Sequence, residues 1–159
     1  MKWATLLLVL TSLGMAETPR TVEVKGSAGY TGFTDESIDG HLQTGFSVRY
    51  YLTRRFSIEP EFQYLRGENR HYDLLLIPNV NWDFRGQGRV IPYITGGVGW
   101  LRSTYGQFRP TFSSNEGFLQ IGTGVKTYIS DRWYVAPEFR VGFEFHFRAS
   151  AAIGYTFGR

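Results

Sequence analysis

The chain has 159 residues, room for one domain, and contains no cysteine, which excludes disulfides and a lipid-modified cysteine anchor. Its formal charge of +3 is too small to argue for a nucleic-acid partner. Glycine (19 residues) and aromatic side chains (17%) are abundant; mean hydropathy is slightly negative, which leaves a membrane open because a two-faced strand averages near zero.

Met1-Lys2 is a short basic start, Trp3 to Leu13 an apolar run, and Gly14-Met15-Ala16 offers small residues around a cut. Residues 1–16 therefore read as a cleavable signal peptide, with the remaining 17–159 as one β-barrel domain. The apolar run falls short of the roughly 20 residues a spanning helix needs.

Eight segments of period two follow, and strands place alternate residues on opposite faces. The first covers about 22–32, with Val22, Val24, Ala28 and Tyr30 on one face and Glu23, Lys25 and Ser27 on the other. The second, 41–52, sets Leu42, Phe46, Val48 and Tyr50 against His41, Gln43, Ser47 and Arg49. The third, 56–65, sets Phe56, Ile58, Phe62 and Tyr64 against Glu59, Glu61 and Gln63. The fourth, 72–84, opposes Tyr72, Leu74, Leu76, Val80, Trp82 and Phe84 to Asp73, Asn79, Asn81 and Asp83, with Leu75 and Ile77 blurring the pattern.

The fifth covers 90–101 and the sixth 118–129, both with glycines interleaved on the polar face. The seventh, 133–147, has an unbroken apolar row from Trp133 to Phe147 opposite Glu138, Arg140, Glu144 and His146. The eighth covers about 149–157. Short links (53–55, 85–89, 130–132) alternate with longer ones (33–40, 66–71, 102–117), and only the last, near Glu144 to Arg148, is compact; this is the plan of an up-and-down membrane barrel.

Val48 to Phe62 parallels Val125 to Phe139 at a constant offset of 77, so one hairpin geometry is expected twice. Pro60, Pro78, Pro92 and Pro137 fall inside strands on the apolar parity; proline cannot donate to a ladder, so bulges or missing rungs are expected there. A soluble lipocalin-like barrel with its greasy face inward is the rival fold. Against it, Tyr50, Phe56, Trp82, Phe84 and Trp133 collect near one end of the apolar rows, and Tyr30, Tyr64, Tyr72, Trp100 and Phe143 near the other. Two aromatic belts of that kind suit two membrane interfaces.

Three stretches resemble the OmpA/OmpX-like outer-membrane barrel superfamily. They are Tyr93 to Gly99 after Pro92, Gly122 to Lys126 followed by Ser130 to Trp133 and Pro137 to Arg140, and the closing Ile153 to Phe157. The resemblance covers nearly the whole segment after the signal peptide and implies an all-β, eight-stranded antiparallel up-and-down transmembrane β-barrel in the bacterial outer membrane. It also implies the barrel-assembly machinery as a partner during insertion, although Gly158-Arg159 displaces the family's usual final Phe.

An interior of eight strands is just wide enough to fill with side chains. The inward charges are expected to be Glu23, Lys25, Arg49, Glu59, Glu61, Asp83, Lys126, Glu138, Arg140 and Glu144, a paired structural network, since a buried unpaired charge costs several kcal/mol. A narrower reading makes Arg49, Lys126 and Arg140, paired with Glu59, Glu61 and Glu138, an ion gate. A third possibility comes from the resemblance, because some small outer-membrane barrels deacylate lipid A with His, Ser and Glu. His146, Ser150 and Glu144 are the candidates here, but the family's His-x-Ser spacing is absent.

No metal-ligand spacing or nucleotide loop occurs, and no cofactor is expected. Arg66, Arg70, Arg102, Arg109 and Arg148 are expected on the long-loop rim with His71, where they could grip lipopolysaccharide phosphates, and His41 is expected in solvent nearby. The reading is a closed outer-membrane barrel in a structural or surface-interaction role, contacting outer-membrane lipid and lipopolysaccharide. A narrow porin-like solute channel and lipid A modification are the alternatives.

Overall fold

A computed structural model describes residues 21–33, 39–66, 72–85, 88–105, 112–143 and 146–158. The expected signal peptide, Arg70, His71, Arg109 and Glu144 lie outside the described residues. The strands are β1 (Val22–Phe33), β2 (Asp39–Tyr51), β3 (Phe56–Arg66), β4 (Tyr72–Asp83), β5 (Val90–Tyr105), β6 (Phe112–Tyr128), β7 (Trp133–Gly142) and β8 (His146–Phe157). Each pairs antiparallel with its sequence neighbours, and β8 closes on β1 from Val22↔Phe157 to Phe33↔His146. Closure leaves no strand edge along the wall, so main-chain groups there find partners without water.

The faces are inverted relative to a soluble barrel. Leu42, Phe46, Leu76, Val98, Leu119, Ile121 and Phe139 are exposed on the outer wall, while Glu23, Arg49, Glu59, Lys126 and Arg140 are buried inside. That arrangement overturns the lipocalin-like alternative, in which these faces would be exchanged. All ten belt aromatics take the outward parity. Phe46 and Phe62 also pair across β2 and β3 with ring centroids 5.6 Å apart, so rings occupy the middle of the wall as well as its ends.

Two strand ends differ from expectation. The apolar row of 133–147 is not one strand: β7 stops at Gly142, which pairs with His146 at the start of β8. Phe143, Phe145 and Phe147 continue the alternation past Gly142, so the compact link expected near Glu144 to Arg148 falls a few residues later than the hairpin that joins Gly142 to His146. Much of the long link at 102–117 is strand, with the ladder continuing from Arg102↔Asn115 to Tyr105↔Phe112. Above the apolar band neither face need be greasy, so the period-two signal ends before the hydrogen bonding does.

The prolines interrupt rungs without shifting register. The β2–β3 ladder skips from Ser47↔Glu61 to Tyr50↔Ile58 at Pro60, and β4–β5 skips from Leu76↔Trp100 to Asn79↔Gly97 at Pro78. The β6–β7 ladder skips from Gly124↔Glu138 to Thr127↔Val135 at Pro137. Pro92 stays within the β5–β6 ladder opposite Val125. No residue is inserted, so these are missing rungs and not bulges.

The 77-residue echo is structural. In one turn Phe56 N donates to Thr53 Oγ1 at 2.9 Å; in the other Trp133 N donates to Ser130 Oγ at 3.1 Å. Leu52 N donates to Phe56 O, and Ile129 N to Trp133 O, each at 2.9 Å. The two hairpins stand four strands apart around the barrel, and the ladder gap recurs beside the second Pro.

Candidate functional site: the filled lumen and its outer rim

Strand parity sends the polar row of every strand into the lumen, where the side chains stack in layers. At the short-turn end Ile91, Tyr128, Tyr134, Ala136 and Ala152 form an apolar cluster. Above it, the Glu23 carboxylate accepts from the hydroxyls of Tyr128 (3.1 Å), Tyr51 (3.2 Å) and Tyr134 (3.2 Å). Lys126 lies 2.7 Å from Asp83 and 3.4 Å from Glu23, and also donates to the Tyr51 hydroxyl.

The middle layer is centred on Glu59. Its carboxylate accepts from Arg49 Nε at 2.7 Å, Ser47 Oγ at 2.6 Å and Asn81 Nδ2 at 3.1 Å, and lies 2.8 Å from Lys25 Nζ. Lys25 also donates to Glu138 at 2.5 Å, and the Tyr93 hydroxyl donates to the same carboxylate. The Arg49 guanidinium sits 4.6 Å from the Tyr93 ring centroid, an orientation that favours a cation over the ring face.

Arg140 spans to the next layer. One nitrogen donates to Glu138 and another to Glu61, each at 2.7 Å. Glu61 also accepts from Arg148 at 2.7 Å, Asn79 at 2.7 Å and Gln63 at 2.5 Å. Towards the long-hairpin end the lumen becomes apolar on one side, where Leu65, Leu75 and Ile77 pack with Leu101 and Phe118. The Phe118 ring meets His146 edge-on at 5.0 Å. On the other side Thr31 donates to Gln43 at 2.7 Å, and His41 faces Asp73 at 3.9 Å.

Glu23, Lys25, Arg49, Glu59, Glu61, Asp83, Lys126, Glu138 and Arg140 are thus all in the lumen; Arg49 and Arg140 find carboxylates of the anticipated set, and Lys126 does not. Arg49 with Glu59, and Arg140 with Glu138, close within their own hairpins. Lys126 turns to Asp83 and Glu23, and Arg140 crosses to Glu61. The echo places Ala136 where the first hairpin has Glu59, so the second hairpin cannot repeat the first pair and the charges join into one network.

Two rim assignments are corrected. Arg148 is 3% exposed and bound to Glu61: β8 begins at His146, three residues earlier than expected, so Arg148 follows the inward parity of a strand. His41 is buried, not in solvent, for the same reason on β2. Arg66 and Arg102 are exposed on the outward parity at the long-hairpin end. His146 and Ser150 sit four residues apart on β8, about 13 Å along an extended strand, too far for a hydroxyl and its base. Tyr51, Tyr93, Tyr128 and Tyr134 were missed as network members, although inward parity marks each of them.

A family model of the outer membrane protein β-barrel domain matches residues 4–158. The chain belongs to this outer-membrane β-barrel family. The comparison with curated proteins gives no match. Among solved structures, the barrel is similar to the N-terminal β-barrel domain of Pseudomonas aeruginosa OprF, with a TM-score of 0.74 at 15% identity over 89% of this chain and 100% of that one. It is similar to Neisserial surface protein A, with a TM-score of 0.73 at 12% identity over 88% and 98%. It is also similar to Yersinia pestis Ail, the attachment invasion locus protein, with a TM-score of 0.63 at 13% identity over 88% and 99%. At these identities the likeness is one of fold, and it agrees with the outward apolar wall in placing this family member in the bacterial outer membrane.

Proposed function

We propose that this outer-membrane barrel is a closed, non-conducting anchor that acts through its external rim. The observation that supports the reading is the wall-to-wall chain of ion pairs from Lys25 through Glu138 and Arg140 to Glu61 and Arg148. Carboxylates and cations at 2.5–2.8 Å occupy the lumen axis, and an ion passing through would have to break several such contacts at once. By the orientation usual for such barrels, the short turns face the periplasm and the long hairpins face outside. There β5 and β6, of 16 and 17 residues, exceed the 9–11 residues that cross a membrane and carry a two-stranded ribbon beyond it. Arg66 and Arg102 lie on the outward face of that end, two strands apart, about 10 Å sideways, and there they would meet outer-leaflet phosphates. Ail has also been solved in complex with the heparin analogue sucrose octasulfate, a polyanion bound by a barrel of this fold.

Planar-bilayer recording tests the closed lumen. The protein is expected to give no sustained conductance, and Arg140→Ala to open a leak. Sustained conductance in the unmodified protein that changes with Arg140→Ala or Glu138→Ala would replace this reading with a narrow ion channel gated by those residues. Unchanged lipopolysaccharide affinity on neutralising Arg66 and Arg102 would remove the rim contact.

A further inference from the structure

Two apolar grooves lie side by side on the outer wall of β5, β6 and β7. The first, about 440 Å³, is lined by Val98, Gly117, Phe118, Leu119 and Phe143, together with Gly99. The second, about 450 Å³, runs past Gly96, Ile121 and Val141 and shares Leu119 and Phe143 with the first. Both fall within the range typical of small-ligand sites, about 300–1,000 Å³.

Their floor has a definite origin. Gly96 and Gly117 stand at outward positions on β5 and β6, where the neighbouring outward residues Val98, Leu119 and Ile121 are large and exposed. Because Gly96 faces Ile121 and Gly117 faces Trp100, the missing side chains leave a hollow at each end of the Val98–Leu119 pair; the two hollows share Leu119 and Phe143 and together make one shallow trough over that pair, and Trp100 (65% exposed) and Phe143 (78% exposed) flank its upper end. Arg102 continues the outward row of β5, four residues beyond Val98 and thus about 13 Å further along the strand.

We propose that this trough seats one acyl chain of a phosphorylated outer-leaflet glycolipid, lipid A, with Arg102 receiving its phosphate. The occupant follows from position. The trough lies in the apolar band, where the medium consists of acyl chains, and its mouth opens toward the end that carries an exposed arginine. Lipid tails are as apolar as the wall, so no hydrophobic gain selects the chain. Selection comes from close packing against the trough and from a charge-assisted phosphate contact at its head. The proposal rests on the orientation given under Proposed function and adds to the rim contact a specific seat below it.

The trough can be filled without disturbing the wall. A Cβ added at Gly96 would meet Gln120 O at 3.7 Å and one at Gly117 would meet Gly99 O at 4.0 Å, both ordinary contacts. Gly26, on β1 two strands beyond β7, has nothing within 4 Å of an added Cβ and serves as a control.

Native mass spectrometry of the full barrel released from nanodiscs of equal lipid A and phosphatidylglycerol tests the seat. The unmodified protein is expected to leave with one lipid A bound. Gly96→Val with Gly117→Val should lower that occupancy about tenfold, the equivalent of one lost contact of about 1.4 kcal/mol, and Gly26→Val should leave it unchanged. Arg102→Gln should weaken retention of lipid A but not of its dephosphorylated form. Equal retention of phosphatidylglycerol, no retained lipid, or full occupancy in the filled variant would overturn the seat. Heat-modifiable migration confirms that each variant is folded; should the double variant fail it, Gly96→Val alone carries the test. A barrel that folds but retains no lipid A refutes the seat and leaves the closed-lumen reading standing, whereas conductance refutes that reading and leaves the seat.

Discussion

Replacing Arg140 with methionine keeps most of the side-chain volume and removes its charge. Three bonds disappear, to Glu61 and Glu138, each at 2.7 Å, and a longer one to Asn79 Oδ1 at 3.3 Å. Breaking a buried pair from one side costs about 3–5 kcal/mol, because the partner is left buried and uncompensated. Here the partners are not abandoned. Glu61 keeps Arg148, Asn79 and Gln63, and Glu138 keeps Lys25 and Tyr93. The cost should therefore fall at the low end, about 3 kcal/mol.

Among described residues the lumen holds six buried carboxylates (Glu23, Glu59, Glu61, Asp73, Asp83, Glu138) against five Lys and Arg side chains, with His41 beside Asp73. Arg140→Met reduces the five to four, and Glu61→Gln in the same chain removes one of the carboxylates left in excess. The double variant should then be about 2 kcal/mol more stable than the sum of the two single losses, within the range for residues of one network. Urea unfolding of the barrel in phospholipid vesicles, followed by tryptophan fluorescence, measures all three. A loss below about 1 kcal/mol for Arg140→Met, or strictly additive losses, would refute the claim that these charges form one coupled network.

Two further outcomes test the wall. A Cβ at Gly122 would lie 2.4 Å from Arg140 Cγ and 2.5 Å from Phe139 O, so Gly122→Val should abolish heat-modifiable folding, whereas Gly26→Val should fold normally; equal behaviour would contradict the close inner packing. Ile121 is exposed on the outward face, and Ile121→Arg should cost about 2–4 kcal/mol near the bilayer midplane in the same vesicle titration. A neutral effect would mean that this face does not meet lipid.

The fold was legible in the chain because strand parity is a local rule. Once Glu59 and Glu61 alternate with Ile58, Pro60 and Phe62, their common face follows without knowing any neighbour. Where the rule failed, the local signal ran through a boundary. The apolar alternation across Phe143 to Phe147 moved the last hairpin a few residues too far along, and with it Arg148 out of the strand. The ladder of β5 and β6 continued beyond the last alternating residue, where no apolar face was needed to mark it.

By itself, then, the sequence determined which side chains enter the lumen and which meet lipid within each alternating segment, since period two and covalent order settle both there; Arg148, beyond the expected start of the last strand, was left to the fold. Only the tertiary structure decided which charges pair. Lys25 and Glu138 are separated by 113 residues and Arg140 and Glu61 by 79, and they meet because eight strands close into a ring of fixed register. The outer trough has the same origin. Gly96 and Gly117 are ordinary strand glycines until the β5–β6 register sets their vacancies beside Val98 and Leu119, a matter of distance across strands that no local pattern encodes.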